Sequence, residues 1–199
     1  ALTNAVSSNL KRAPSRMEDL LFTILRQRKA SKSIQIRELG FALIKKWIDF
    51  SNLKPDNQNY LKSWLAEIDD LDWEAQNVLY DLGKKDPSIV LDIFWLRIER
   101  DPKRKVKRRK LGDVDHYRAI PYHMNEALVR QLAEYPDLSR YTEKWLSKVT
   151  KEWSPYNWNI SHLLQKLGTP LDSVVRTLIR KGGDTNLAKA AQLMDRFEG

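Results

Sequence analysis

Apolar residues recur at three- and four-residue spacing along nearly the whole chain, which is the signature of helices that each turn one face inward. Met17, Leu20, Leu21, Ile24 and Leu25 form the first such stripe, behind a Ser15-to-Glu18 pattern that reads as a capping box. Ile36, Leu39, Leu43, Ile44, Trp47 and Ile48 form the second, Tyr60, Leu61, Trp64, Leu65 and Ile68 the third, and Ala75, Val78, Leu79 and Leu82 the fourth, stopping at Gly83. Asp86-Pro87 then supplies a cap and a first helical position. Between Ile89 and Ile98 of this fifth helix only Asp92 and Arg97 are not apolar, so it must be covered on several sides and is expected at the centre. Five more stripes follow, beginning at Met124, Leu138, Tyr156, Leu171 and Leu187. With few β-branched alternations and no Asn-Gly or Asp-Gly between apolar runs, nothing reads as a strand. The expected class is all-α, with ten helices.

Prolines 14, 55, 87, 136 and 170 stand at the starts of helices one, three, five, seven and nine, which groups the ten into five pairs. The spacings are 41, 32, 49 and 34 residues; removing an insert of about fifteen, from Pro102 to His116, brings the long one to its neighbours' length. Tyr60-Leu-Lys-Ser-Trp64 is echoed by Tyr141-Thr-Glu-Lys-Trp145. A period in this range marks stacked helical hairpins, none of which buries its apolar face alone. The expected architecture is an α-solenoid of about five antiparallel pairs in one domain, residues 1–199, with an insert at 102–116.

Through this architecture more than through identities, most of the chain resembles HEAT-like α-helical repeats. More narrowly, Ile89 to Leu138, with Leu96-Arg-Ile-Glu-Arg100 and Tyr117-Arg-Ala-Ile-Pro-Tyr-His123, looks like a segment of the helical-repeat tails of large bacterial signal-transduction ATPases. That resemblance implies a tail that binds partners or senses ligands. It carries no nucleotide activity here, because this sequence has no Gly-rich lysine loop.

Charge adds one local feature. Lys103, Arg104, Lys105, Lys107, Arg108, Arg109 and Lys110 are seven cations in eight residues, and without them the formal charge falls from +9 to +2. Their mutual repulsion predicts a solvated loop after Arg100-Asp101-Pro102. Such a run can neutralise phosphates of a nucleic acid or other polyanion, with Tyr117 and Tyr122 beyond it placed to stack bases; the bland alternative is an insert that keeps the chain soluble. An acidic cluster, Glu67, Asp69, Asp70, Asp72 and Glu74, lacks the order of a Ca²⁺ loop and reads as a solvated turn. It could also dock the cations. Trp153, Tyr156 and Trp158 crowd one connection, where rings either line a partner-binding groove or plug the wedge between hairpins.

No cysteine is present, and no serine elbow, phosphate loop or zinc-helix motif is found, so no catalytic residue, metal or cofactor is assigned and the chain is not expected to be an enzyme. Absence of cysteine, of long apolar runs and of a signal-peptide pattern in Ala1 to Leu10 points to the cytoplasm. The expected function is a non-catalytic repeat module that holds a protein partner or the rest of a larger chain, as scaffold or sensor arm. The alternative is polyanion binding through residues 103–110.

Overall fold

A computed structural model describes residues 14–27, 32–44, 48–111, 117–149, 155–169 and 171–194, with backbone alone at 14–16, 32–33, 43–44, 103–111, 155, 171, 173 and 192. Among the described residues there are ten α-helices and no strand. They are α1 (Pro14–Gln27), α2 (Lys32–Ile44), α3 (Pro55–Glu67), α4 (Trp73–Gly83), α5 (Pro87–Leu111), α6 (Glu126–Ala133), α7 (Leu138–Leu146), α8 (Pro155–Lys166), α9 (Leu171–Lys181) and α10 (Asp184–Met194), with a 3-10 turn at Phe50–Asn52. The all-α expectation holds, helix for helix. No helix among the described residues is long and apolar enough to cross a membrane.

Local chemistry explains most boundaries. Asp72 caps α4 by accepting from the Ala75 amide at 3.0 Å, and Asn125 caps α6 by accepting from the amides of Ala127 and Leu128. Asp86 accepts from the Ser88 amide at the start of α5, which its position before Pro87 predicted. Gly182 and Gly183, both at positive φ, make the turn between α9 and α10 that only glycine adopts without strain. The expected capping box is different. Because α1 already begins at Pro14, Ser15 lies inside its first turn, and Glu18 serves another helix: its Oε1 accepts from the Lys54 amide at 2.9 Å and from Asn57 Nδ2 at 2.6 Å, at the N-terminus of α3.

The fifth helix is central, as its apolar circumference requires. α5 packs chiefly against α3, α4, α6 and α8. Val90, Leu91, Ile93, Phe94 and Ile98 are fully buried in the main hydrophobic cluster, which draws on every helix from α1 to α8. Each such side chain contributes about 1.5–3 kcal/mol by leaving water. Helices two apart touch from α2 to α6: α2 with α4, α3 with α5, α4 with α6. Two glycines mark the close approaches, since a Cβ on Gly40 of α2 would meet Glu74 of α4, and one on Gly83 would meet Gln131 of α6. α9 and α10 pair closely and bury a second, smaller cluster of Val174, Val175, Leu178, Ala190 and Leu193. Leu146, at the end of α7, packs against both clusters, and Lys189 Nζ donates to the Leu146 carbonyl at 3.3 Å.

The largest departure from expectation is that α5 does not end at Arg100-Asp101. Its backbone stays helical through Pro102 and the cationic run to Leu111, so the stretch expected as a loop at 102–111 is helix; residues 112–116 lie outside the described residues. Three effects outweigh the repulsion. Lys and Arg are good helix formers, cations near a helix C-terminus are favoured by its dipole, and the buried half of α5 supplies the costly nucleus, so that each further residue only extends an existing helix. Pro102 removes one backbone donor and opposes this at about 3 kcal/mol. The continuation shows that it does not prevail.

Candidate nucleic-acid interface

Arg97, the lone cation in an otherwise apolar turn, is fully buried and organises the junction from which the basic run departs. Its guanidinium donates to the carbonyls of Leu65 (2.5 Å), Ile68 (2.9 Å) and Asp69 (3.4 Å) at the C-terminal end of α3, and to those of Ala119 (3.0 Å) and Arg118 (2.5 Å). A planar fork of five donors suits this, and the Leu65 carbonyl is one that the end of α3 leaves without an intrahelical partner. The chain from 117 to 120 is thereby held against α3, reinforced by the Arg118 amide donating to the Asp69 carbonyl at 2.8 Å.

Tyr117 belongs to this junction and not to a binding surface. It is 4% exposed, its ring lies 4.7 Å from the Arg97 guanidinium, and its hydroxyl donates to the carbonyls of Ala66 and Arg97 at 3.0 and 3.2 Å. The base-stacking role expected of it is therefore corrected: both faces are occupied by protein, and the phenol is consumed by the α3 and α5 backbones. Tyr122, its companion in that expectation, is 65% exposed.

One turn beyond Arg97, the buried Asp101 fixes where the basic run leaves the body. Its Oδ2 accepts from Asn159 Nδ2 of α8 at 2.8 Å, and both residues are almost wholly enclosed. The seven cations Lys103, Arg104, Lys105, Lys107, Arg108, Arg109 and Lys110 follow on helical backbone. At about 100° per residue their Cα positions go right round the axis, over a rise of about 12 Å. Such a distribution gives no apolar stripe for packing on a core.

Beside Asn159 stands Trp158, 43% exposed. Trp158, His162 and Lys166 recur every fourth residue and so share one face of α8. Trp158 and His162 meet edge to face at 4.9 Å. Burial, and secondarily the Lys166 charge, hold the His162 imidazole below its ordinary range, and its Nδ1 is buried without a hydrogen-bond partner among the described residues. Lys166 Nζ donates to the Tyr122 carbonyl at 2.7 Å and lies over the Tyr122 ring at 5.8 Å, and His123 forms a T-shaped pair with that ring at 4.6 Å. An aromatic and cationic strip thus runs from Trp158 to Tyr122. Of the three rings expected to act together, Trp158 faces solvent, Tyr156 is partly buried against the main cluster, and Trp153 lies outside the described residues.

The remaining candidates have structural occupations. Asp72 is a helix cap, the Asp69 carbonyl serves Arg97, and Glu67 pairs with Arg100 at 3.8 Å, so the acidic cluster does meet α5, one turn before the cations. No group of three potential metal ligands occurs among the described residues; Asp113, Asp115 and His116 fall outside them. A polar cleft of about 550 Å³ is lined by Ser88, Tyr135, Asp137, Arg140, Tyr141 and Lys144, where burial raises both phenols so that they stay neutral. Sequence reasoning missed Asp101, Asn159 and Lys166. Arg97 alone had a signal, as a charge in an apolar turn. The chain matches no known family model, no curated protein and no solved structure.

Proposed function

We propose that this chain is a non-catalytic helical interaction module, built of HEAT-like stacked pairs, that holds a polyanionic macromolecule along the basic half of α5. One observation carries the reading: the seven cations of 103–110 ride on the continuation of the helix that the core grips most firmly. A charged segment mounted this way meets its partner already ordered, which lowers the entropic cost of association. The steps that lead there are the burial of Val90 to Ile98, the Arg97 junction, and the Asp101–Asn159 bond that sets the exit of the run.

The test is retention on heparin and on duplex DNA as salt is raised. Five phosphate contacts would give a slope of log affinity against log salt of about −4.5 for duplex DNA, with retention gone by about 0.3 M. Replacing the seven cations with glutamine should abolish retention while leaving the circular dichroism of the body unchanged. Salt-insensitive capture of a protein partner by that same variant would favour the scaffold reading instead.

A further inference from the structure

We infer that the polyanion is single-stranded nucleic acid, whose backbone is neutralised along 103–110 and whose bases stack on Trp158 and then on Tyr122. This rests on the polyanion reading above and names its partner. Phosphate neutralisation alone does not discriminate among heparin, duplex DNA and a single strand. Exposed rings do, because only an unpaired strand presents base faces, and stacking is worth about 1–3 kcal/mol per base.

The geometry joins the two elements. Asp101 immediately precedes Pro102 and the cations, and it is hydrogen-bonded to Asn159, the residue next to Trp158. The N-terminal end of α8 is therefore at the root of the basic run. From there the shared face of Trp158, His162 and Lys166 spans about 12 Å along the helix and ends where Lys166 bonds the Tyr122 carbonyl. A strand leaving the cations would meet an indole first, then a neutral imidazole, then an ammonium flanked by a phenol ring. Lys166 and the Tyr122 ring, 5.8 Å apart, offer a phosphate and a base side by side. His162 meets Trp158 in a T-shaped pair at 4.9 Å, which steadies the indole while 43% of the Trp158 residue stays open to solvent. The exposures of 43% and 65% for Trp158 and Tyr122 would fall on binding.

The experiment compares affinities of the full chain for oligo(dT), for duplex DNA of equal length and for heparin, in wild type, Trp158→Ala, Tyr122→Ala and Trp158→Phe. Trp158→Ala should lower oligo(dT) affinity about 5- to 150-fold, the equivalent of one stacked base, Tyr122→Ala should lower it within the same range, and heparin affinity should not move in either. Trp158→Phe should recover most of the loss, since a smaller ring still stacks. Circular dichroism should stay at the wild-type value in all three; Trp158 is more than half enclosed, so Trp158→Ala should lower the denaturation midpoint modestly, and affinities are compared at a temperature where every variant is folded. Equal losses for heparin and oligo(dT), a preference for duplex, or unchanged oligo(dT) affinity in Trp158→Ala would each overturn the stacking inference. If heparin retention that depends on 103–110 survives those results, only the single-strand assignment fails. If no polyanion is retained at low salt, the reading beneath it fails as well.

Discussion

The two halves of α5 share one backbone and almost nothing else. From Ile89 to Ile98 the helix is apolar at all but two positions, and its two fully enclosed polar side chains, Arg97 and, one turn on, Asp101, are spent inside the protein, on carbonyls and on Asn159. From Lys103 to Lys110 it carries seven cations and a single apolar residue, Val106. The first half is a helix because its neighbours enclose it. The second is one because it is attached to the first, and propagation costs far less than nucleation. A charge run is therefore not by itself a sign of irregular backbone; what precedes it matters as much as its own composition.

Interfering with the buried half should have the largest effect. Arg97→Met would take a donor from five carbonyls, of which that of Asp69 keeps the Arg118 amide, and leave the end of α3 unsatisfied, for which a loss of about 3–5 kcal/mol is expected in urea denaturation. Arg97→Lys should recover little, because an ammonium has three donors and no planar fork. Next comes Asn159→Ala, which leaves the enclosed Asp101 carboxylate without this partner; a loss of about 1–3 kcal/mol is expected. Tyr117→Phe should cost about 1 kcal/mol and leave heparin and oligonucleotide affinity unchanged, which separates its structural place from the stacking role expected of it. Least of all for stability, glutamine at the seven basic positions should change the unfolding free energy by no more than about 0.5 kcal/mol per position, even as polyanion retention disappears.

A pH series sharpens the same contrast. Folding holds the His162 imidazole below its ordinary value of 6.5, chiefly through burial, so the unfolded chain takes up that proton more readily than the folded one. The contribution of the neutral ring is present above about 6.5 and declines as pH falls through and below that value. Denaturation midpoints measured between pH 7.5 and about 5 should fall more in the wild type than in His162→Gln.

How far the sequence carried depended on the range of the interaction concerned. The ten helices, the caps at Asp72 and Asp86 and the central place of α5 follow from periodicity and from neighbours within a few residues. Glu18 bonding Lys54, Arg97 reaching Leu65, and Tyr117 reaching Ala66 join residues 36, 32 and 51 apart, and no local pattern encodes such pairs. Tyr117 and Tyr122 show the limit plainly. Both are tyrosines just past a basic run, one wholly enclosed and the other mostly bare, and the difference lies in which of them falls beneath Arg97. The same is true of Trp158: its spacing in α8 was readable, but which ring of its connection would face water was not.

The small cluster beneath α9 and α10 has its own consequence. Among the described residues, α9 and α10 bury five side chains of their own, Leu146 packs against both clusters, and Lys189 bonds the Leu146 carbonyl, so the pair is joined to the body by fewer buried residues than α5 is. The pair is expected to open as a unit, its amides exchanging with deuterium well before those of α5. A protease acting at Gly182-Gly183 would then find its substrate in molecules whose remaining eight helices are still folded.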